Sequence, residues 1–318
     1  MPPHVVLRLV VEDYPRTLLE LERRFSDEAA CRAYLFALRW PGGFVCEGCG
    51  GRTARPMSSR GLWRCDDCRR QVSVTAGTVF QDTHMPLTTW FRALWQVTSQ
   101  KNGTSALGLQ RVLGLGSYKT AWAMLHKLRR ATVRPGRDRL RGVVEVDETY
   151  WGGAEEGVRG RGAVQKALIA VAAEAASGRG KAIGRIRLRH IPDTNRTTLH
   201  GFIAQAIEPG STVVTDGLAS YRDLKGYVHD RQVPQSQPTD AEHLLPRVHR
   251  VASLLKRWLL GTHQGAIAHA HLDDYLDEFT FRFNRRTSAS RGKLFYRLAQ
   301  QAVQVAPAPF HTLTHHNP

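Results

Sequence analysis

Val143-Val144-Glu145-Val146-Asp147-Glu148-Thr149-Tyr150-Trp151 is the stretch that decides the fold. Its β-branched and aromatic residues predict a strand, and Asp147 stands at the middle. An ionised carboxylate in an apolar strand is costly unless it is paired or holds a cation. A second apolar run, 212–215, ends at Asp216-Gly217, at the C-terminal strand edge where α/β sheets place ligands. If the two strands are neighbours, their carboxylates converge as hard oxygen ligands suited to Mg²⁺, with phosphate oxygens filling the remaining positions. Taken singly, each Asp also reads as a turn or cap residue. Glu145 shares the strand face of Asp147 by the period of two, which suits either support of a metal or a salt bridge to Arg or Lys.

Working outward, 167–173 and 183–191 read as two further strands joined by Gly-rich turns, and 197–207 as a helix before the strand at 212–215. Two long helices follow, over 244–260 and 269–283. Three strands, a helix, a strand and then helices make an α/β fold. Arg159, Arg161 and Lys166, in a Gly-rich stretch, suit either a DNA backbone or a solvated turn.

Upstream, Cys46, Cys49, Cys65 and Cys68 form two C-x-x-C pairs separated by 15 residues. Two such knuckles close a tetrahedron of thiolates around Zn²⁺. Gly48, Gly50 and Gly51 free the first knuckle for positive φ, and Trp63 and Val72 predict a short hairpin below the metal, so the segment reads as a zinc ribbon. A pair of disulfides is the rival reading; it fits poorly with the lack of a secretory leader. A closed four-thiolate site has no position for a water, which makes this zinc structural. Residues 18–40 have helical spacing, with Ser26 as N-cap before Asp27 and Glu28, and Cys31 inside as a small buried apolar residue.

Residues 86–100 predict a helix whose Trp90, Phe91 and Trp95 belong to a core. Two short amphipathic helices, 105–113 and 118–130, flank Gly114-Leu115-Gly116-Ser117, the spacing of a helix-turn-helix. The second carries Lys119, Lys127, Arg129 and Arg130, and the linker after it adds Arg134, Arg137, Arg139 and Arg141. Over the 318 residues, 45 Lys and Arg face 28 Asp and Glu, a net +17. A nucleic acid is the partner such a surface attracts, through counterion release. No apolar run is long enough to span a bilayer.

The ordered set Arg39-Trp40-Pro41-Gly42-Gly43-Phe44-Val45-Cys46, Val146-Asp147-Glu148-Thr149-Tyr150-Trp151-Gly152-Gly153, Thr215-Asp216-Gly217, Leu255-Lys256-Arg257-Trp258-Leu259-Leu260-Gly261-Thr262-His263, and Tyr275-Leu276-Asp277-Glu278-Phe279 through Arg282-Phe283-Asn284-Arg285-Arg286 resembles bacterial insertion-sequence transposases. In that family a zinc ribbon precedes a DDE-type, RNase-H-like core. The resemblance implies a mixed sheet flanked by helices and makes Asp147 and Asp216 the first two members of an acidic triad that holds two Mg²⁺ ions. The third member, usually Glu, falls on the helix after the last strand. Here His249 stands seven residues before Lys256 and takes that place; Glu242 is the alternative. Imidazole suits Mn²⁺ better than Mg²⁺.

Lys256 and Arg257, one to two turns beyond His249, suit neutralising phosphates of the transferred strand; by the same resemblance the chain binds terminal inverted repeats, cleaves 3′ ends and transfers them to target DNA as a homo-oligomer. A cytoplasmic, nucleoid-associated protein is expected, without membrane contact. The implied domains are an N-terminal helical segment 1–43, the ribbon 44–80, a helix-turn-helix region with basic linker 81–141, the core 142–303 and a disordered tail 304–318. A zinc-dependent regulator without catalysis accounts for the N-terminal part but not for the two Asp residues, and a structure-selective nuclease on the same core would cut DNA without joining it.

Overall fold

The computed structural model describes residues 12–57, 61–134, 136–152, 166–176, 182–233 and 244–314. Gly153, Arg159, Arg161 and Glu242 lie outside them. The chain divides into two units, Met1–Arg134 with Ser288–Pro318, and Pro135–Thr287.

The first unit begins with α1 (Leu18–Arg24) and α2 (Glu28–Arg39). The single helix expected over 18–40 is thus broken at Phe25–Asp27. Asp27, rather than Ser26, caps α2, its carboxylate accepting the N–H of Ala30 at 2.8 Å. The ribbon follows as three antiparallel strands, β1 (Ala54–Met57), β2 (Leu62–Cys65) and β3 (Gln71–Val72), with Trp63 opposite Val72 as the hairpin expectation requires. Next come α3 (Leu87–Ser99), α4 (Ala106–Leu113) and α5 (Tyr118–Arg130). Ser105 and Ser117 cap the last two, and Gly114 between them adopts the left-handed conformation at φ 63°, which a glycine reaches without steric cost.

The second unit is built on a five-stranded sheet. Its strands are β4 (Val143–Trp151), β5 (Ala167–Ala175), β6 (Ile183–Ile191), β7 (Thr212–Thr215) and β8 (Val228–Arg231), in the order β6-β5-β4-β7-β8. β4, β5 and β6 are antiparallel neighbours, whereas β7 and β8 run parallel to β4. Helix α6 (Arg196–Ala206) covers one face, where Leu199, Phe202 and Ile203 meet Val144, Val146, Ala170 and Val213. Helices α7 (Pro246–His263) and α8 (Leu272–Phe283) cover the other, where Val248, Val251, Leu255 and Leu276 meet Ile169, Val171, Ile186 and Val214. β5 is buried on both faces because it lies between strands and under helices on either side. This strand order, with helices on both faces, is the RNase-H-like arrangement that the resemblance implies.

The chain then returns to the first unit. α9 (Arg291–Ala302) packs its Phe295 against Phe91 and Trp95 of α3, in an aromatic cluster that also holds Phe25 and Tyr34. The core expected to run to residue 303 therefore ends at Thr287; the amphipathic face of α9 is matched by the rings of α3 instead. The tail expected to be disordered also carries structure. Phe310–Thr314 forms the short α10, with Leu313 fully buried and Phe310 edge-on to Trp122. Among the described residues no helix is long and apolar enough to cross a membrane.

Gly292 on α9 marks the tightest of these contacts, since a Cβ built there would fall 1.7 Å from the Pro15 carbonyl oxygen. Gly292→Ala is expected to lower stability by about 1–3 kcal/mol through overpacking. Urea unfolding measures this, and a variant as stable as the parent would contradict the packing of α9.

Candidate active site and metal centre

Two turns bring the four cysteines together. Cys46 N–H donates to Gly51 and Gly50 N–H to the Cys46 carbonyl in the first knuckle; Cys65 and Arg70 pair in the second. Of the first knuckle's glycines only Gly50 takes positive φ, at 74°. At Gly51 a Cβ would meet the Asp67 carboxylate at 2.2 Å, so a larger residue there would displace the Asp67 side chain. All four Sγ atoms lie within 4.8 Å of one another, with Cys46–Cys68 and Cys49–Cys65 each at 3.6 Å. A tetrahedron of about 2.3 Å Zn–S bonds has S···S edges of about 3.8 Å, so the donor set fits zinc.

The thiols also need a cation electrostatically. N–H groups of Gly48 and Cys49 bring Cys46 down to about 7. For Cys49 the Gly51 N–H acts the same way, yet the thiols of Cys68, Cys65 and Cys46 together with burial push it up to about 12. Four thiolates this close do not ionise together without a positive charge among them. Cys31, by contrast, is buried in α2 and pushed up to about 12 by desolvation, the inert apolar residue its position in sequence suggests.

In the second unit, the parallel register pairs Val143 with Thr212 and Glu145 with Val214. Continued two residues, it sets Asp147 beside Asp216. Odd positions of β4 face α7 and α8, since Trp151 joins that core while Val144 and Val146 join the α6 core. Asp147 therefore lies on the α7 side of β4, and Asp216 directly follows the last residue of β7, Thr215. Each carboxylate is oriented locally: Asp147 accepts the N–H of Glu148 at 2.8 Å, and Asp216 that of Leu218 at 2.9 Å. Both are partly exposed, as ligands open to a substrate must be.

Two further contacts hold the elements around this pair. Tyr221, fully buried in the 3-10 turn Ala219–Tyr221 after Asp216, donates its hydroxyl to Glu148. Burial first, and the Glu148 carboxylate second, raise that phenol well above its ordinary range, so it remains a donor. Glu145 is 3% exposed and meets Arg247 at 2.6 Å. Of the two readings open to Glu145 in sequence, the salt bridge is the one observed. Neither Tyr221 nor Arg247 was singled out by sequence reasoning, because both lie far along the chain from β4.

His249 sits half-buried in the first turns of α7, and Lys256 two turns later on the same face. Asp147, Asp216 and His249 are not among the groups of described residues whose ligand atoms gather within 4.8 Å. Burial, then the nearby Lys166, lowers the Lys256 ammonium below its usual range. Lys166 lies beside Gly152, at the end of β4. An ammonium whose charge is disfavoured by burial and by a neighbouring cation favours an anion beside it. Arg257 is exposed.

The helix-turn-helix residues do not all lie where the sequence suggests. Lys119 is exposed on the first turn of α5, while Lys127 and Arg130 are half-buried and burial lowers the Lys127 ammonium. Arg129 is 2% exposed and meets the buried His126 at 3.2 Å; the helical repeat carries it to the face of Leu125 and Leu128. It is not a surface DNA contact. Leu107, Arg111 and Val112 of α4 and Tyr118 and Lys119 at the start of α5 are exposed instead, and the N-terminus of the second helix is where recognition helices meet base edges.

Residues 26–71 match the transposase zinc-ribbon domain and residues 139–284 the ISXO2-like transposase domain. A protein of the transposable element ISH50 from Halobacterium salinarum is 27% identical over 287 residues, covering 82% of this chain and 92% of its own. The catalytic core domain of BIV integrase aligns at 17% identity and TM-score 0.31, over 47% of this chain and 88% of its own. A simian T-cell lymphotropic virus intasome aligns at 15% identity and TM-score 0.31, over 64% and 74%. Likenesses at that TM-score carry no argument about this chain.

Cys65→Ser is expected to lose stoichiometric zinc and to weaken DNA-end recognition while the second unit stays folded, as read by metal analysis and gel shift; full metal and full specificity would contradict the thiolate site. Tyr118→Ala and Lys119→Ala are expected to weaken duplex binding in fluorescence anisotropy without lowering stability. Arg129→Ala should instead destabilise the first unit, by about 1–3 kcal/mol for the partner left unpaired. The opposite pattern would restore Arg129 to the DNA surface.

Proposed function

The chain belongs to the insertion-sequence transposases that join a transposase zinc-ribbon domain to an ISXO2-like transposase domain, and on that premise we propose that it binds the terminal inverted repeats of its element, cleaves their 3′ ends and joins them to target DNA. The observation that supports this reading is the parallel β4–β7 register, which, continued past Glu145 and Val214, brings Asp216, just after β7, beside Asp147 of β4. Their carboxylates form a hard-oxygen donor set that fits Mg²⁺ or Mn²⁺. When bound there, such a cation supplies charge stabilisation to a phosphoryl group undergoing in-line displacement.

The chain's own groups have separable roles in this reading. Asp147 and Asp216 contribute ligand oxygens, and His249 an imidazole nitrogen from the facing helix, a donor that favours Mn²⁺. Lys256 and Lys166 offer ammonium groups to the DNA backbone near the end of β4, and Arg257 a further cation on the exposed side of α7. The ribbon, held by Zn²⁺, and the exposed turn between α4 and α5 select the DNA ends. Assembly as a homo-oligomer brings two ends to one target.

Asp147→Asn and Asp216→Asn are expected to abolish divalent-dependent cleavage and joining while end binding persists, because the amide removes a charged ligand and leaves the basic surface in place. His249→Ala should lose strand transfer by about 100-fold or more, whereas His249→Glu retains activity and shifts preference from Mn²⁺ toward Mg²⁺. A cleavage and strand-transfer assay on a labelled end duplex reads all four variants. Retained cleavage by either Asn variant would refute the assignment, and cut DNA without joined product from the parent would make it a nuclease.

A further inference from the structure

Glu145 stands two residues before Asp147, inside the sheet, and both of its oxygens are used. Oε1 accepts from Arg247 Nη1 at 2.6 Å; Oε2 accepts the backbone N–H of Arg247 at 2.7 Å and that of Val248 at 3.1 Å. Those amides belong to the first turn of α7, which opens on Pro246 and whose N-cap, Leu245, offers no side-chain cap. The first N–H groups of a helix have no partner within it. They are ordinarily met by a neighbouring Ser, Thr, Asp or Asn. In this chain the capping carboxylate comes from another element, the strand that carries Asp147, and its negative charge also suits the positive end of the helix dipole.

The consequence is geometric. One carboxylate fastens the start of α7 to β4, two residues from Asp147 on the strand and two from His249 on the helix. We propose that Glu145 is a positioning residue for the transfer reaction: it sets the distance between the Asp147–Asp216 pair and His249 by capping and ion-pairing the helix that bears the third ligand. The proposal rests on the reading of Asp147, Asp216 and His249 given above. A displacement of about 1 Å at a reacting centre can cost about 100-fold in rate, and partners that orient metal ligands typically contribute about 10- to 100-fold. Arg247 secures the arrangement from its other side, its Nε donating to the Ala182 carbonyl at 3.2 Å.

The test is strand transfer by full-length Glu145→Gln and Arg247→Met, with end affinity, thermal unfolding and half-saturating Mn²⁺ measured beside the rate. Glu145→Gln keeps a carbonyl oxygen for the backbone amides but loses the charge; it is expected to lower kcat about 10- to 100-fold, to leave end affinity within about two-fold and to raise half-saturating Mn²⁺. Arg247→Met leaves the carboxylate on the amides, so a smaller loss with the same split is expected; it carries the test by itself should Glu145→Gln not fold. Folded variants with parental kcat and Mn²⁺ dependence would overturn the proposal, as would a loss confined to end affinity. If Asp147→Asn is inactive while Glu145→Gln behaves as the parent, the inference alone fails; an active Asp147→Asn removes the reading beneath it.

Discussion

The alternation of β4 is the constraint on which the catalytic unit depends. Val144 and Val146 enter the core under α6, while Glu145, Asp147 and Trp151 face α7 and α8. A slip of one residue would drive two carboxylates into the α6 core and turn the valines toward α7 and α8, so the hydrophobic pattern that stabilises the sheet also selects which carboxylates look toward α7. Glu148, facing the other side, takes the Tyr221 hydroxyl and so ties the turn after Asp216 to the same strand. Of three carboxylates within four residues, Glu145 thus holds the helix and Glu148 the neighbouring turn, and Asp147 is the one we propose as a metal ligand.

The first unit solves a different problem. A ribbon of three short strands buries little apolar surface, with Phe44, Val72 and the rings of Phe36 and Trp40 as most of its core. Such a module needs a cross-link to persist, and four thiolates at tetrahedral spacing provide it. Larger rings stabilise the rest of the unit. The Phe25, Tyr34, Phe91 and Phe295 cluster recruits a helix from the far end of the chain, which is why the two units interleave in sequence.

What was legible in the sequence followed local pattern. The nine-residue β4, the two cysteine knuckles and the Gly114 turn each carry their signal within a few residues, and they fold where that signal places them. The strand β8, Val-His-Asp-Arg at a sheet edge with most of its residues exposed, has no alternation to reveal it. Arg129 was misplaced because charge suggests surface, whereas its helical phase sets it beside Leu125 and Leu128 with His126 as partner. The destination of α9 and the partner of Glu145 are set by contacts between residues a hundred or more positions apart, and composition carries no trace of those. Both Asp residues were visible as anomalies in apolar strands, but their adjacency needed the β4–β7 register.

The central proposal is that Asp147 on β4, Asp216 after β7 and His249 on α7 share a divalent-metal centre. Anomalous diffraction from crystals of the full chain on a DNA end, grown with Mn²⁺, measures this directly. The account predicts manganese density bounded by the carboxylates of Asp147 and Asp216, with the His249 imidazole turned toward it and Glu145 still on the first turn of α7. Manganese held elsewhere in the second unit, or an Asp147–Asp216 pair that binds none with DNA present, would contradict it.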